Sequence, residues 1–158
     1  MHKQNNVLWT AMIAGYEQNG YGVEAIALFR QMQRVGIKAN KFTLVSVLRA
    51  CVLLESLKHG KQVHARIIKN EYEPNLYFSS TLVGLYGKCG DLAYAGHLFV
   101  GIPIQDVVLW TAMIAGCFQH GFNEDSLVLL EQMRHEGVKP NQFTYTSVLR
   151  ACAGLEAL

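Results

Sequence analysis

Apolar residues recur at intervals of three and four positions in nine short stretches of this chain. In the first stretch Leu8, Met12, Ile13 and Tyr16 fall on one face of a helix, and Asn19-Gly20 then supplies a stop signal. Strand-like alternation is rare, so the pattern predicts an all-α chain. The nine predicted helices cover residues 7–19, 23–35, 42–53, 57–69, 78–88, 92–100, 108–119, 124–136 and 143–153.

The predicted helices pair into four helical hairpins, followed by a ninth helix without a partner. We expect Gly90 to end one helix, and Ser56, Asp91 and Asn123 to cap the N-termini of others. Each hairpin carries an apolar stripe too broad for its two helices to cover, so neighbouring hairpins must stack into a solenoid. Spacing alone leaves the hand of that solenoid open. The ninth helix should leave part of one apolar face uncovered, formed by Val148, Leu149, Cys152 and Leu155, as in a fragment of a longer solenoid.

An internal repeat organises the chain. Residues 8–15, Leu-Trp-Thr-Ala-Met-Ile-Ala-Gly, recur without change at residues 109–116, which is 101 positions later. Phe-Thr and Ser-Val-Leu-Arg-Ala-Cys within residues 42–51 recur at the same offset within residues 143–152. Aligning the hairpins gives units 6–40, 41–75, 76–106 and 107–141, of 35, 35, 31 and 35 residues, and a partial unit 142–158.

Composition narrows the class of protein further. With 51% hydrophobic and 16% charged residues the chain can bury a continuous core, which excludes disorder. The formal charge of +2 predicts only weak nonspecific attraction to phosphates. The sequence has no apolar run long enough for a membrane span, and residues 1–6 look like a short polar lead-in rather than a targeting segment. The four cysteines form no Cys-x-x-Cys pair, so we expect reduced thiols that pack on helices and no structural zinc site.

These units resemble the plant pentatricopeptide repeat family, in the subclass whose P, L and S repeats alternate. Residues 8–32 look like a P unit, residues 42–51 with Gly-Lys-Gln-Val-His-Ala at 60–65 like an L unit, and residues 85–95 like the short S unit. The order P-L-S-P-L then covers nearly all of residues 6–158. Tetratricopeptide repeats form similar hairpins, but they lack this alternation of unit lengths.

The resemblance implies a right-handed α-solenoid superhelix that binds single-stranded RNA on the surface lined by the first helices, with one base per repeat. In this family the fifth and last residues of a unit read the base, and the second residue flanks it. The reading pairs would be Thr10 with Asn40, Val45 with Asn75, Ser80 with Asp106, and Thr111 with Asn141. The flanking residues would be Val7, Phe42, Tyr77 and Val108.

The chemistry of these pairs is consistent with such a role. A threonine hydroxyl can donate to a ring acceptor of adenine while an asparagine oxygen accepts from its amine, and an aspartate can accept from guanine. Val45 can only pack, so the second unit should discriminate poorly. The expected target is 5′-A-N-G-A-3′, read with chain and RNA running in parallel.

Several of these residues also have a purely structural interpretation. Asn40, Asn75, Asn141 and Asp106 precede helices and are good N-caps, a role compatible with base reading. Thr10, Thr111 and Ser80 lie inside helices, where each hydroxyl can bond back to a carbonyl. Three lysines near turns have two open interpretations, phosphate contact or plain solvation: Lys38, Lys41 and Lys139.

Two other residue types invite a functional interpretation that the pattern does not favour. Trp9 and Trp110 lie on the apolar side of their helices, which favours core packing over base stacking. His59 and His64 are five positions apart, so they do not share a helical face closely enough for a metal site, and the other histidines have no partner pattern.

No catalytic signature is present, and the zinc deaminase pattern carried by some family members is missing. The sequence therefore predicts a non-enzymatic RNA-binding module without a cofactor or metal. By family association it comes from a mitochondrial or chloroplast RNA-processing protein, with C-to-U editing as the expected process. The alternative is a protein-binding helical scaffold, in which the L unit 42–75 docks editing cofactor proteins of the MORF or RIP type.

Overall fold

The computed structural model describes residues 2–70 and 76–156, with side chains for 5–70 and 78–156. This part of the chain forms nine α-helices and no strand. The helices are α1 (His2–Gln18), α2 (Gly22–Arg34), α3 (Lys41–Leu53), α4 (Leu57–Lys69), α5 (Leu76–Lys88), α6 (Leu92–Val100), α7 (Val107–Gln119), α8 (Asn123–His135) and α9 (Gln142–Glu156).

All nine predicted helices are confirmed, and most ends agree to within two residues. The largest difference lies at the start of α1, where residues 2–6 are helical and the predicted start at residue 7 is wrong. These residues are polar but include no glycine or proline, so nothing in the segment prevents the helix from extending. Asn6 therefore lies inside a helix, one turn before Thr10.

The turns within the hairpins follow the predicted chemistry only in part. Gly20 and Gly90 end α1 and α5 with positive φ angles of 82° and 89°, as expected for glycine after a helix. Asp91 caps α6 by accepting from the Tyr94 N–H at 3.2 Å. Ser56 occupies the N-cap position of α4, but its side chain makes no cap bond and instead contacts His59 Nδ1 at 2.7 Å.

The predicted Asn123 cap is wrong. Phe122 occupies the N-cap position of α8, and Asn123 is the first helical residue. The helix starts one residue early because the turn at Gly121 (φ 81°) brings the Phe122 N–H to Cys117 O at 2.9 Å. The Asn123 side-chain oxygen is buried and has no hydrogen-bond partner among the described residues.

The chain divides into two compact parts, residues 1–81 and 82–158. In the N-terminal part α1 packs against α2 and α3, α2 also packs against α3, and α3 packs against α4. This arrangement places the first helices of consecutive hairpins side by side and is the stacking that the broad apolar stripes predicted. The fully buried side chains of this core include Ile13, Met32, Leu44 and Leu48.

The C-terminal part repeats the same packing with α7, α8 and α9, and α6 covers the other side of α7. The Trp110 ring is 3% exposed and meets Phe99 edge-on, with ring centroids 4.7 Å apart. The core interpretation of Trp110 is thus confirmed, whereas Trp9 is half-buried. Trp110 owes its burial to α6, which supplies the Phe99 ring.

The expected uncovered face of α9 is found only in part. Leu149 is 68% exposed, but Val148 is 7% exposed because it faces inward. None of the four cysteines forms a disulfide, and Cys51 and Cys117 are buried. None of the helices in the described ranges has both the length and the apolar character that a bilayer span requires.

Candidate nucleic-acid interface

Thr10 and Asn40, the first predicted reading pair, are joined through a buried third residue, Thr43. The hydroxyl oxygens of Thr10 and Thr43 lie 2.7 Å apart. Asn40 is the N-cap of α3, and its Oδ1 accepts from the backbone N–H of Thr43 at 2.9 Å and from the Thr43 hydroxyl at 3.0 Å. The Thr43 hydroxyl in turn accepts from the Asn40 N–H at 3.2 Å, which completes a capping box. Helix α3 therefore fixes one predicted reading residue at its own N-terminus and holds the other on α1.

The second P unit contains the same cluster 101 residues later. The hydroxyl oxygens of Thr111 and Thr144 lie 2.7 Å apart, and Asn141 Oδ1 accepts from the Thr144 N–H and hydroxyl, both at 3.0 Å. Thr111 also donates to the Val107 carbonyl at 2.7 Å, the back-bond that its helical position made possible. Both bridging threonines are 0% exposed.

The cap determines which side-chain atoms the reading asparagines offer to a ligand. A backbone N–H can only donate, so Oδ1 of Asn40 and of Asn141 must face the helix. The two Thr43 donors occupy both lone pairs of Asn40 Oδ1. The Nδ2 amino group is then the part of the side chain directed away from the cap. The sequence analysis predicted that this oxygen accepts a hydrogen bond from adenine. In the structure it already accepts hydrogen bonds from within the protein.

The hydroxyl protons of the reading threonines are also committed within the protein. Thr43 donates to Asn40, so the short contact between Thr43 and Thr10 needs the proton of Thr10. Thr111 has two internal acceptors, the Val107 carbonyl and the Thr144 hydroxyl. Each reading threonine therefore offers a ligand a lone pair, and each reading asparagine offers it a donor.

Asp106 and Ser80 make up the third predicted pair. Asp106 is the N-cap of α7, and its Oδ1 accepts from the Leu109 N–H at 2.9 Å. The expected capping role is thus present, and the second carboxylate oxygen has no hydrogen-bond partner among the described residues. Ser80 is half-buried in α5 and belongs to the N-terminal part, whereas Asp106 belongs to the C-terminal part.

The structure describes only one residue of the second predicted reading pair. Val45 is half-buried on α3. Asn75 and the side chain of Tyr77 lie outside the described residues. The other three flanking residues are exposed, with Val7 at 64%, Phe42 at 64% and Val108 at 62%.

A groove of about 430 Å³ runs between α1 and α3 and brings several of these residues together. Thr10 lies on its α1 side, and Phe42 and Val45 lie on its α3 side. The Lys41 ammonium stands 5.2 Å from the centroid of the Phe42 ring, and Arg49 is a second cation in the wall. Apolar surface, polar edges and positive charge therefore meet in one groove, as a nucleotide requires.

The Arg49 charge also acts on a neighbouring acid. Burial raises the pKa of the Glu17 carboxyl on α1, and the Arg49 guanidinium opposes that rise.

Sequence reasoning missed three residues of this interface. Thr43 and Thr144 lie within the repeated Phe-Thr pair, but nothing in the sequence shows that their hydroxyls join two reading residues. Phe143 is 73% exposed at the start of α9, and it is the counterpart of Phe42 at the repeat offset of 101. That offset was the available signal for Phe143.

The histidines whose side chains the structure describes do not group into a metal site. Arg30 approaches His59 Nε2 at 2.6 Å, and because a guanidinium only donates, His59 must be the acceptor there. Among the residues that the structure describes, no three His, Cys, Asp or Glu side chains group in a way that could hold a metal ion.

Comparison with known proteins shows which family has this architecture. A model of the PPR repeat family matches residues 4–52 and 105–154. A chloroplastic pentatricopeptide repeat-containing protein of Arabidopsis thaliana is 49% identical over 158 residues, which is all of this chain and 26% of that protein. A mitochondrial one of the same plant, described as putative, is 40% identical over 158 residues, again all of this chain and 25% of that protein. The chain thus spans about a quarter of the length of these relatives.

Solved structures agree with the fold. The maize pentatricopeptide repeat protein PPR10, in complex with an 18-nt psaJ RNA element, superposes with a TM-score of 0.75 at 17% identity, covering 92% of this chain and 22% of that chain. The PPR domain of Arabidopsis thaliana protein-only RNase P 1, in complex with tRNA, gives a TM-score of 0.74 at 16% identity over 96% of this chain and 82% of that one. These matches confirm the predicted all-α solenoid of helical hairpins, and the chain belongs to the pentatricopeptide repeat (PPR) family.

Proposed function

We propose that this chain is a single-stranded RNA-binding module in which each repeat reads one base. The observation that carries the proposal is the hydrogen-bonded cluster of Thr10, Thr43 and Asn40, which recurs as Thr111, Thr144 and Asn141. Each cluster aligns an acceptor and a donor from two adjacent helices. The structures of two family members in complex with RNA support the same function.

The orientation of the cap explains how asparagine and aspartate would select different purines. The Watson–Crick edge of adenine carries an acceptor at N1 beside an amine, whereas guanine carries an N1–H donor. An outward Nδ2 of Asn40 or Asn141 donates to N1 of adenine, and the reading threonine accepts from its amine. The free oxygen of Asp106 occupies the equivalent place and accepts from the guanine N1–H. The same cap position thus selects A or G by exchanging a donor for an acceptor.

The remaining sites follow from this scheme. Val7, Phe42, Tyr77 and Val108 flank the bases, and an aromatic ring such as Phe42 contributes about 1–3 kcal/mol for each stacked base. Val45 offers no hydrogen bond, so with Asn75 it leaves the second base unspecified. The proposed preference is 5′-A-N-G-A-3′, read by units 6–40, 41–75, 76–106 and 107–141.

We assign these units to the alternating P, L and S subclass, with 142–158 as the start of another L unit. The module then belongs to a non-enzymatic part of an organellar RNA-processing protein, with C-to-U editing as the proposed process. Relatives named as chloroplastic and mitochondrial support an organellar setting.

The test exchanges the two caps. In Asn141→Asp the last base preferred should change from A towards G, and in Asp106→Asn the third should change from G towards A. Fluorescence anisotropy at low ionic strength, with labelled RNAs that differ only at these two bases, measures each preference. Both substitutions keep a good N-cap, so circular dichroism should remain unchanged. Equal affinity for all of these RNAs in the unmodified chain would reject base reading.

Protein docking remains a second proposal for the L unit. Phe42 and Ile68 are 64% and 65% exposed, and Val45 cannot contribute a hydrogen bond to a base. This apolar surface suits an editing cofactor protein of the MORF or RIP type. A pull-down that succeeds with the unmodified chain and fails with Phe42→Ala supports docking, and one that gives no capture by either chain rejects it.

A further inference from the structure

We propose that Asn6, the first residue of the first repeat, is an internal competitor for the Thr10–Asn40 reading pair, and that Val107 leaves the otherwise identical Thr111–Asn141 pair open. This inference rests on the proposed base reading. It concerns a position that neither the reading pairs nor the flanking residues include. Two reading pairs that consist of the same residues, Thr and Asn, would therefore differ in how strongly they discriminate between bases.

In the first repeat one oxygen atom contacts both reading residues. Asn6 Oδ1 accepts from Asn40 Nδ2 at 2.6 Å and lies 3.5 Å from Thr10 Oγ1. The Asn6 amino group donates to the Lys38 carbonyl, so the side chain is held from its other end. This oxygen takes one of the two Nδ2 protons of Asn40 and stands within reach of both reading residues, so a base that contacts both Thr10 and Asn40 must compete with it for the same place.

In the fourth repeat the equivalent position holds Val107, which has no polar side-chain atom. Its backbone carbonyl accepts from Thr111 at 2.7 Å, and Asn141 Nδ2 makes no hydrogen bond within the described part of the chain. The amino group of Asn141 therefore keeps both of its protons for a ligand. The two repeats differ at several positions, but among the residues that contact the reading pair the difference is Asn6 against Val107, one turn before the reading threonine.

The consequence is a difference in selectivity between two units that share one code. Displacing Asn6 costs the free energy of one neutral hydrogen bond, so discrimination at the first base should be about three- to tenfold weaker than at the fourth. A code that depends only on the fifth and last residues of a repeat would instead give the same discrimination at the first and the fourth base.

Two reciprocal substitutions test the inference. Asn6→Val should raise discrimination at the first base to the level of the fourth, and Val107→Asn should lower discrimination at the fourth. The matched control is Asn5→Val, the same exchange at the exposed neighbouring residue. Anisotropy with 5′-AUGA-3′ and its variants carrying G at the first or fourth base gives the ratio of Kd values at each position.

A second readout does not depend on RNA. In NMR spectra the side-chain amide of Asn40 should exchange with solvent more slowly than that of Asn141, and Asn6→Val should remove this difference. Equal exchange rates in the unmodified chain, or Kd ratios that neither reciprocal substitution changes, would overturn the role of Asn6. An absence of base preference at either position in every variant would instead reject the proposed reading function, and the inference with it.

Discussion

The hydroxyl oxygens of Thr111 and Thr144 lie 2.7 Å apart, although the two residues belong to different hairpins. Thr10 and Thr43 lie at the same distance in the other compact part of the chain. The contact is thus the same in both copies, whereas the residue one turn before the reading threonine is Asn6 in one and Val107 in the other. We conclude that the bridge belongs to the repeat itself and not to its surroundings.

Removing the bridge should cost stability. Thr144→Val keeps the shape of the side chain but removes all three hydrogen bonds of its hydroxyl, and we expect the free energy of unfolding to fall by about 1 kcal/mol. Urea denaturation followed by circular dichroism measures this change. Thr146→Val is the control, because Thr146 is exposed and only bonds back to the Gln142 carbonyl. Similar losses for the two variants would contradict a special role for Thr144.

Close contact between α5 and α7 depends on two glycines. A Cβ atom at Gly116 would stand 3.1 Å from Gly87 Cα and 3.3 Å from the Gly87 carbonyl, so backbone would have to move. We expect Gly116→Ala to destabilise the chain by about 1–3 kcal/mol in thermal or urea unfolding. Gly96→Ala, inside α6 with nothing within 4 Å, should instead stabilise it by about 0.5–1 kcal/mol. A stabilising effect of both substitutions would refute the contact.

Stability should also depend on pH through His64. Burial lowers the pKa of this imidazole from its ordinary value of 6.5, so the unfolded chain binds the proton more readily than the folded chain. Protonation of His64 therefore does not favour the unfolded chain above pH 6.5. As the pH drops below that value, the unfolded chain binds more protons and the stability of the folded state falls. Urea midpoints measured between pH 7.5 and 5 should fall less steeply for His64→Gln than for the unmodified chain. Identical slopes would show that His64 does not contribute.

Phe143 should extend the RNA site by one base. It is as exposed as Phe42 and occupies the equivalent position at the start of α9. Phe143→Ala should weaken binding of a five-base RNA, 5′-AUGAU-3′, because a stacked base contributes about 1–3 kcal/mol. The same substitution should leave the four-base RNA 5′-AUGA-3′ unaffected in fluorescence anisotropy. An equal loss for both RNAs would point to a structural role.

The sequence predicted the helices well because each is short, periodic and ended by a turn residue. Caps were harder to predict, because the side chain of Ser56 bonds to His59 instead, and the turn at Gly121 starts α8 one residue early, so that Phe122 and not Asn123 is the N-cap. Burial also depended on neighbours, since Trp9 and Trp110 occupy identical segments but only Trp110 is covered by α6.

The interface itself was predictable only as a set of positions. Repeat spacing located Thr10 and Asn40, but it gave no sign that Thr43 bonds to both or that Asn6 reaches the same amide. The links from Thr43 to Thr10 and from Asn6 to Asn40 join residues 33 and 34 positions apart, and they depend on how two helices approach each other. Periodicity along a single helix contains no such information.

The capping role of Asn40, Asn141 and Asp106 has a consequence for changing the target of such a chain. Whatever residue stands at this position must start a helix as well as meet the base that we propose it reads, so most of the twenty amino acids would weaken the hairpin that presents them. Asparagine, aspartate, serine and threonine are the side chains that start helices best. A reprogramming library built on this scaffold can therefore be restricted to those four residues, and its diversity is better placed at the fifth and first residues of each repeat.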